Sequence, residues 1–210
     1  MVAKEAKIGE SYKNEDIRIV ELGLSSRSPI NAIGSYQSSD SAPNLNSQDL
    51  LAIGQRRNLL TVAYLMGDEG ASISQCLYSI YYLLWGVVND RPDIITLLKN
   101  LKFSFACVMN PDRLEDLEDD RDGNGANKLI YRPKNANKSG PHNCPSILEG
   151  VNLKYNYLPV FANGLPGKFT NPCSLQYGGV PGQQEDETRT LVTYINQQGT
   201  AGVSMFIISK

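Results

Sequence analysis

Leu59-Leu60-Thr61-Val62-Ala63-Tyr64-Leu65-Met66, followed by Gly67-Asp68-Glu69-Gly70 and an apolar segment reaching Asn89, is the stretch that decides the fold. Leu59 to Met66 has the length and continuity of a strand buried on both faces. Gly67 to Gly70 reads as a tight turn. Beyond it, Ile73, Leu77, Ile80, Leu84 and Val87 recur at spacings of four, three, four and three, which is one stripe of a helix. A strand, a turn and a buried helix predict an α/β arrangement. In such folds the turn at the carboxyl end of a central strand carries the polar groups that a sheet interior cannot hold.

Working outward, Asp16 to Leu22 alternates polar and apolar residues, as an edge strand with one wet face would. Residues 25–47 hold eight serines with Pro29, Gly34 and Pro43 and show no period, so they read as a long loop or an insertion. Arg91-Pro92-Asp93 opens a short helix through Leu98, and Phe103 to Met109 reads as a second buried strand ending at Asn110-Pro111-Asp112. Strand, helix, strand implies a largely parallel sheet. Residues 113–150 read as surface loop. A last helix spans Asp186 to Gln198 with Leu191, Tyr194 and Ile195 inward, and Gly199 ends it before a strand from Val203 to Ile208. Because the chain stops as that strand ends, the expectation is one domain over residues 1–210, truncated at its C-terminal side.

With 41% hydrophobic and 20% charged residues over 210 positions, the composition is that of a soluble globular domain. A net charge of -2 without a basic run argues against nucleic-acid partners. No run approaches eighteen uninterrupted apolar residues, and Met1 to Lys7 lacks the apolar core of a signal peptide. The chain is therefore either not exported or part of a longer precursor. Tyr78, Tyr81 and Tyr82, three of eleven tyrosines, read as core and rim packing.

Two loops carry weaker signals. Asp120-Arg121-Asp122-Gly123-Asn124-Gly125 matches the first half of a calcium loop through Asp120, Asp122 and Asn124, but Tyr131 stands where a bidentate Glu is needed. It reads better as an acidic loop with a Gly-Asn turn. Asn137-Lys138-Ser139 is a glycosylation acceptor. Cys76 and Cys107 fall on the central helix and a buried strand and read as reduced small hydrophobes, the alternative being a bridge between them.

Several of these stretches, in order, resemble the zinc carboxypeptidases of the A/B type. They are Ile8-Gly9-Glu10-Ser11-Tyr12 before Ile17, Ile73-Ser74, Asn110-Pro111-Asp112, Tyr131-Arg132 with Lys134-Asn135, Gly150-Val151-Asn152-Leu153 through Asn156-Tyr157, Asn171-Pro172-Cys173-Ser174, and Glu185-Asp186-Glu187-Thr188-Arg189. The resemblance implies a mixed, mostly parallel twisted sheet with helices on both faces, of which this chain covers the first two thirds. It also implies a disulfide between Cys144 and Cys173, and with it an oxidising, secreted or luminal compartment.

The family's zinc site consists of a His-x-x-Glu pair at the turn before the central helix, a second His from a later strand, and a water. Anchored on Ile73-Ser74, the pair falls on Asp68 and Ala71; shifted by one, on Glu69 and Ser72. The one histidine of the chain is His142, in a polar loop. Where the family grips the substrate carboxylate with Asn-Arg, this chain has Lys154-Tyr155, a point charge without arginine's fork. Arg132 falls at the family's oxyanion-steadying arginine and reads better as a surface or loop-anchoring residue. The expectation is an inactive carboxypeptidase-like domain without cofactor, kept as a structural or protein-interaction module. Two alternatives stand beside it. One is a divergent carboxypeptidase using a cation at Asp68 or Glu69, although the pair reads better as two solvated carboxylates at a turn near a helix start. The other is a calcium-dependent adhesion module built on Asp120, Asp122 and Asn124.

Overall fold

The computed structural model describes residues 2–24, 57–67, 69–122, 132–138, 144–145, 148–157, 167–180, 184–198 and 200–205. The serine-rich stretch 25–47 lies outside them. β1 (Val2–Glu10) and β2 (Asp16–Gly23) form an antiparallel hairpin. β3 (Arg57–Val62) and β4 (Leu101–Ala106) pair in parallel with Leu59 beside Phe103, and β5 (Thr200–Met205) pairs in parallel on the other side of β3. The sheet order is β1-β2-β4-β3-β5, with β2 antiparallel to both its neighbours, so every other strand runs one way. Asp16 to Leu22 is therefore not the edge: β1 covers it.

Alternation along each strand sorts the core into two layers. Leu22, Ala63, Phe103 and Phe105 face α1 (Gly70–Val88) and α2 (Pro92–Asn100), while Ile17, Ile19, Leu60, Val62 and Ala106 face α5 (Asp186–Gln198), with Leu191 and Tyr194 against them. Helices on both faces give the expected layering. Toward the base of the sheet the α5 side turns polar. Ser104 Oγ donates to Asn58 Oδ1 at 2.7 Å, Tyr194 Oη donates to Glu21 Oε1 at 2.6 Å, and Lys102 Nζ reaches Glu21 Oε1 at 3.0 Å and Gln198 Oε1 at 2.7 Å.

α1 is turned from the expected stripe. Its buried residues are Ser72, Cys76, Leu83, Gly86 and Val87, and Leu77 is 54% exposed. The segment from Gly70 to Val88 contains no charged residue, so apolar periodicity leaves the inward face undetermined. Leu77, Tyr78, Tyr81, Trp85 and Val88 all stand exposed along the outer side, with Tyr82 stacked between Tyr78 and Trp85 and with Arg91 over the Tyr82 and Trp85 rings. By length and apolarity α1 passes the test for a membrane-crossing helix, yet it lies as one layer on the sheet.

Residues 113–150 are not all loop. Pro111–Asp122 is a helix, α3, because Pro111 sits at its start with Asp112 in its first turn, where the helix dipole favours an acid. Pro133, Lys134, Asn135 and Ala136 are buried. A four-residue helix, α4 (Gly167–Thr170), precedes the Cys173 segment.

Candidate functional site at the Gly67 bend

Beyond Val62 the chain leaves the ladder but stays tied to its neighbour: Ala63 N–H donates to Ala106 O at 2.9 Å and Met109 N–H to Ala63 O at 3.3 Å. Tyr64 then takes a positive φ of 50°, which a bulky residue adopts only where its surroundings impose it. Two hydrogen bonds fix it. Its N–H donates to Ser72 Oγ at 2.9 Å, and its hydroxyl donates to Gly67 O at 3.0 Å. Gly67 is closely packed: a Cβ there would lie 2.4 Å from Arg132 O and 2.9 Å from Arg113 Cβ. The bend is thus wedged against the segment that carries Arg132.

Of the positions matched to the zinc ligands, Asp68 lies outside the described residues. Ala71 is exposed on the first turn of α1 and has no donor atom. In the shifted register both residues serve the fold. Ser72, fully buried, accepts from Tyr64 N–H and donates to Glu69 O at 2.6 Å. Glu69 is 2% exposed, and its Oε2 accepts from Met66 N–H at 3.4 Å. Among the described residues no three His, Cys, Asp or Glu side chains gather as a metal group. His142 is outside them.

Of the residues matched to the family's substrate contacts, Arg132 lies in the segment packed against Gly67. Arg132 Nη1 lies 3.9 Å from Asp116, and its buried Nε has no hydrogen-bond partner. Leu153–Tyr155 forms a single 3₁₀ turn whose Lys154 N–H is capped by Asn152 Oδ1 at 3.1 Å. Asn152 Nδ2 reaches Leu175 O at 2.9 Å and Met66 Sδ at 3.5 Å, which brings that turn to the bend. Lys154 Nζ sits over its neighbour's ring at 5.9 Å, and Tyr155 packs edge-on against Phe169 at 5.0 Å. Both side chains therefore have contacts within the 153–155 turn and its Phe169 neighbour.

Sequence reasoning counted Lys134, Asn135, Gly150 and Asn156 among the family-like motifs without giving them a role, and it passed over Arg113. Arg113 donates to Lys134 O at 2.8 Å, Asn135 O at 2.7 Å and Asp116 Oδ2 at 2.6 Å. Burial pushes the Asp116 carboxyl up, but hydrogen bonds from Lys13 and Arg113 outweigh it and hold it below the ordinary carboxylate range. Asn135 Oδ1 accepts from Val151 N–H at 2.9 Å, and Asn156 joins Gly178 O to Glu185 N–H at 2.8 and 2.7 Å. Gly150, at φ +97°, runs so close to Asn135 O that a Cβ would sit 2.1 Å away. Lys134, fully buried, donates through Nζ to Leu148 O at 2.5 Å and Pro172 O at 2.6 Å and lies 5.3 Å from the Tyr177 ring centre. Burial lowers its pKa to about 8, leaving an ammonium at neutral pH that the two carbonyls and the ring stabilise. The available signal was the density of asparagines among glycines and prolines, since side-chain amides complete backbone hydrogen bonding where no ladder exists.

Cys144 and Cys173 are bonded, with Cα atoms 5.3 Å apart. Cys76 and Cys107 are bonded as well, correcting the reading of two reduced thiols: the inner face of α1 sets Cys76 with its Cα 5.6 Å from that of Cys107, within disulfide reach. Asp120 and Asp122 belong to α3 rather than to a loop. Asn124 is outside the described residues. Asn137 is half-buried and donates Nδ2 to Glu185 at 2.7 Å.

Comparison with known proteins decides the family. The model of the zinc carboxypeptidases matches residues 2–208. The chain belongs to the zinc carboxypeptidase family. No curated protein sequence matches it. Among solved structures it is similar to thrombin activatable fibrinolysis inhibitor, at 16% identity and a TM-score of 0.69 over 99% of this chain and 43% of that one. The bovine inhibitor in complex with tick carboxypeptidase inhibitor gives 15% and 0.66 over 99% and 54% of the two chains. Carboxypeptidase A from Helicoverpa armigera gives 17% and 0.65 over 97% and 40%. These likenesses show the carboxypeptidase fold, and the chain spans about half or less of each structure's length. The zinc that the family implies does not fit Ala71 and Ser72, the described residues at its matched glutamate position. Ala71 supplies no ligand, and the Ser72 hydroxyl is engaged on both sides by backbone groups.

Proposed function

We propose that this chain is a catalytically inactive zinc carboxypeptidase domain that serves as a structural or protein-interaction module in a secreted or luminal setting. The observation that carries the reading is the engagement of Ser72 between Tyr64 N–H and Glu69 O, beside an Ala71 that has nothing to offer a metal. With one histidine in the sequence, this segment cannot by itself supply the two-imidazole set that the family's chemistry uses. The two disulfides support an oxidising compartment. The uncharged outer side of α1, with Tyr78, Tyr81 and Trp85 in the open, supports a role in contact with other proteins.

Elemental analysis of the purified chain tests the central claim. It is expected to find no stoichiometric zinc, and incubation with peptides is expected to release no C-terminal residue. One zinc per chain, or turnover that a chelator abolishes, would return the protein to the enzymes. A mass decrease on enzymatic deglycosylation of the natively expressed protein would mark export, with Asn137 as the acceptor, although a glycan there competes with the Asn137–Glu185 hydrogen bond.

A further inference from the structure

Glu187 lies in the first turn of α5 with its side chain fully buried. Both of its carboxyl oxygens face one donor, Asn135 Nδ2, at 3.5 and 3.3 Å. That nitrogen also donates to Glu185 Oε2 at 2.9 Å, which takes a second hydrogen bond from Asn137 Nδ2 at 2.7 Å. Two carboxyl groups at the entry to α5 thus share a single amide of segment 132–138.

The surroundings add negative charge. From the start of α3, Asp112 presents a third carboxylate, itself occupied by the Ser11 hydroxyl and the Lys13 N–H. The cations of the neighbouring segments have other partners: Arg113 on the carbonyls of Lys134 and Asn135 and on Asp116, Arg132 3.9 Å from Asp116, Lys134 on Leu148 and Pro172, and Lys7 of β1 on Glu10 and Asp16. Among the described residues no ion pair reaches Glu185 or Glu187. The helix N-terminus favours an anion. Burial first, with Glu185 and Asp112 adding to it, outweighs that and raises the Glu187 pKa to about 7.

We propose that the Glu187 carboxyl, set against Glu185 by the shared Asn135 amide, is a proton-operated latch that fastens segment 132–138 to the start of α5. Protonated, Glu187 removes the charge clash with Glu185 and Asp112. Ionised, it repels both, and beyond its own backbone N–H the donor it holds, the Asn135 amide, is shared with Glu185. The latch bears on the Gly67 bend, because Asn135 is bonded to Val151 through both its backbone and its side chain, and Arg132 of the same segment is wedged against Gly67.

Hydrogen exchange at the Asn135 and Val151 amides, corrected for intrinsic rates, tests this between pH 5 and pH 8. An acid whose pKa is raised in the closed state stabilises that state at low pH and loses the benefit as the pH climbs to its closed-state value. Protection is expected to fall by some tens of fold between pH 5 and pH 8, about three-hundredfold being the ceiling for a rise from 4.5 to about 7. Glu187→Gln, which mimics the neutral acid, should stay protected and show a flat profile. Equal protection of the unaltered chain across this range would overturn the proposal, as would an undiminished pH dependence in Glu187→Gln. Should that variant not fold, the carboxyl carbon shift of Glu187 in the unaltered protein decides: titration near neutrality supports the latch, and titration below pH 5 removes it.

Discussion

Ser72 and Tyr64 are joined across the bend by a hydrogen bond of 2.9 Å from the Tyr64 N–H to the Ser72 hydroxyl, and the same hydroxyl turns back to Glu69 O. One side chain thereby satisfies two backbone groups at the place where β3 gives way to α1. Replacement by alanine leaves a buried N–H without its acceptor. Ser72→Ala is expected to lower stability by about 1–3 kcal/mol, read as a drop in the urea midpoint at unchanged slope. A midpoint within error of the parent would show that the bend does not depend on this contact.

Lys134 bridges Leu148 and Pro172, segments adjoining the two halves of the Cys144–Cys173 bond. Lys134→Met keeps the volume and removes the donors, leaving two buried carbonyls unpaired. A loss of about 2 kcal/mol or more is expected. Because the native-state pKa of this lysine is depressed, the parent should gain stability as pH rises from about 8 toward the ordinary lysine value of 10.5, where the unfolded chain binds the extra proton. Lys134→Met should lose that rise. Denaturant midpoints across the alkaline range measure both effects.

The two disulfides close loops of similar length, with sequence separations of 31 for Cys76–Cys107 and 29 for Cys144–Cys173. The chain-entropy model assigns each roughly 3–4 kcal/mol. Cys76 is fully buried in the α1 layer, so Cys76→Ser also places a hydroxyl in an apolar core. Removing the Cys76–Cys107 pair as serines should therefore cost more than removing Cys144–Cys173. Thermal melts of the two double variants compare them directly, and equal losses would contradict the burial argument.

Asp116 is held below the ordinary carboxylate range by Lys13 and Arg113, against the effect of burial. Its contribution is present above the unfolded-state value of 3.8 and is lost as the pH falls through the lower native value. Asp116→Asn should lower stability at neutral pH and flatten the acid limb of the stability profile. A variant with an acid limb as steep as the parent's would place the acid sensitivity elsewhere.

The sequence by itself determined the strand–bend–helix centre, the last helix over Asp186–Gln198, the family and the Cys144–Cys173 pairing that the family implies. These follow from hydrophobic period, turn residues and ordered motifs, all of which are local or inherited. Tertiary structure alone decided the side of α1 that faces the sheet, because a helix without a charged residue has no strongly preferred face until it meets a partner. It placed β1 outside β2, since alternation along a strand does not reveal whether another strand lies beyond it. It bonded Cys76 to Cys107, whose partnership depends on a distance set by the packing of α1 on β4. It also gathered Asn135, Glu185 and Glu187 from positions some fifty residues apart, and their chemistry comes from burial and mutual distance, which a linear sequence does not express.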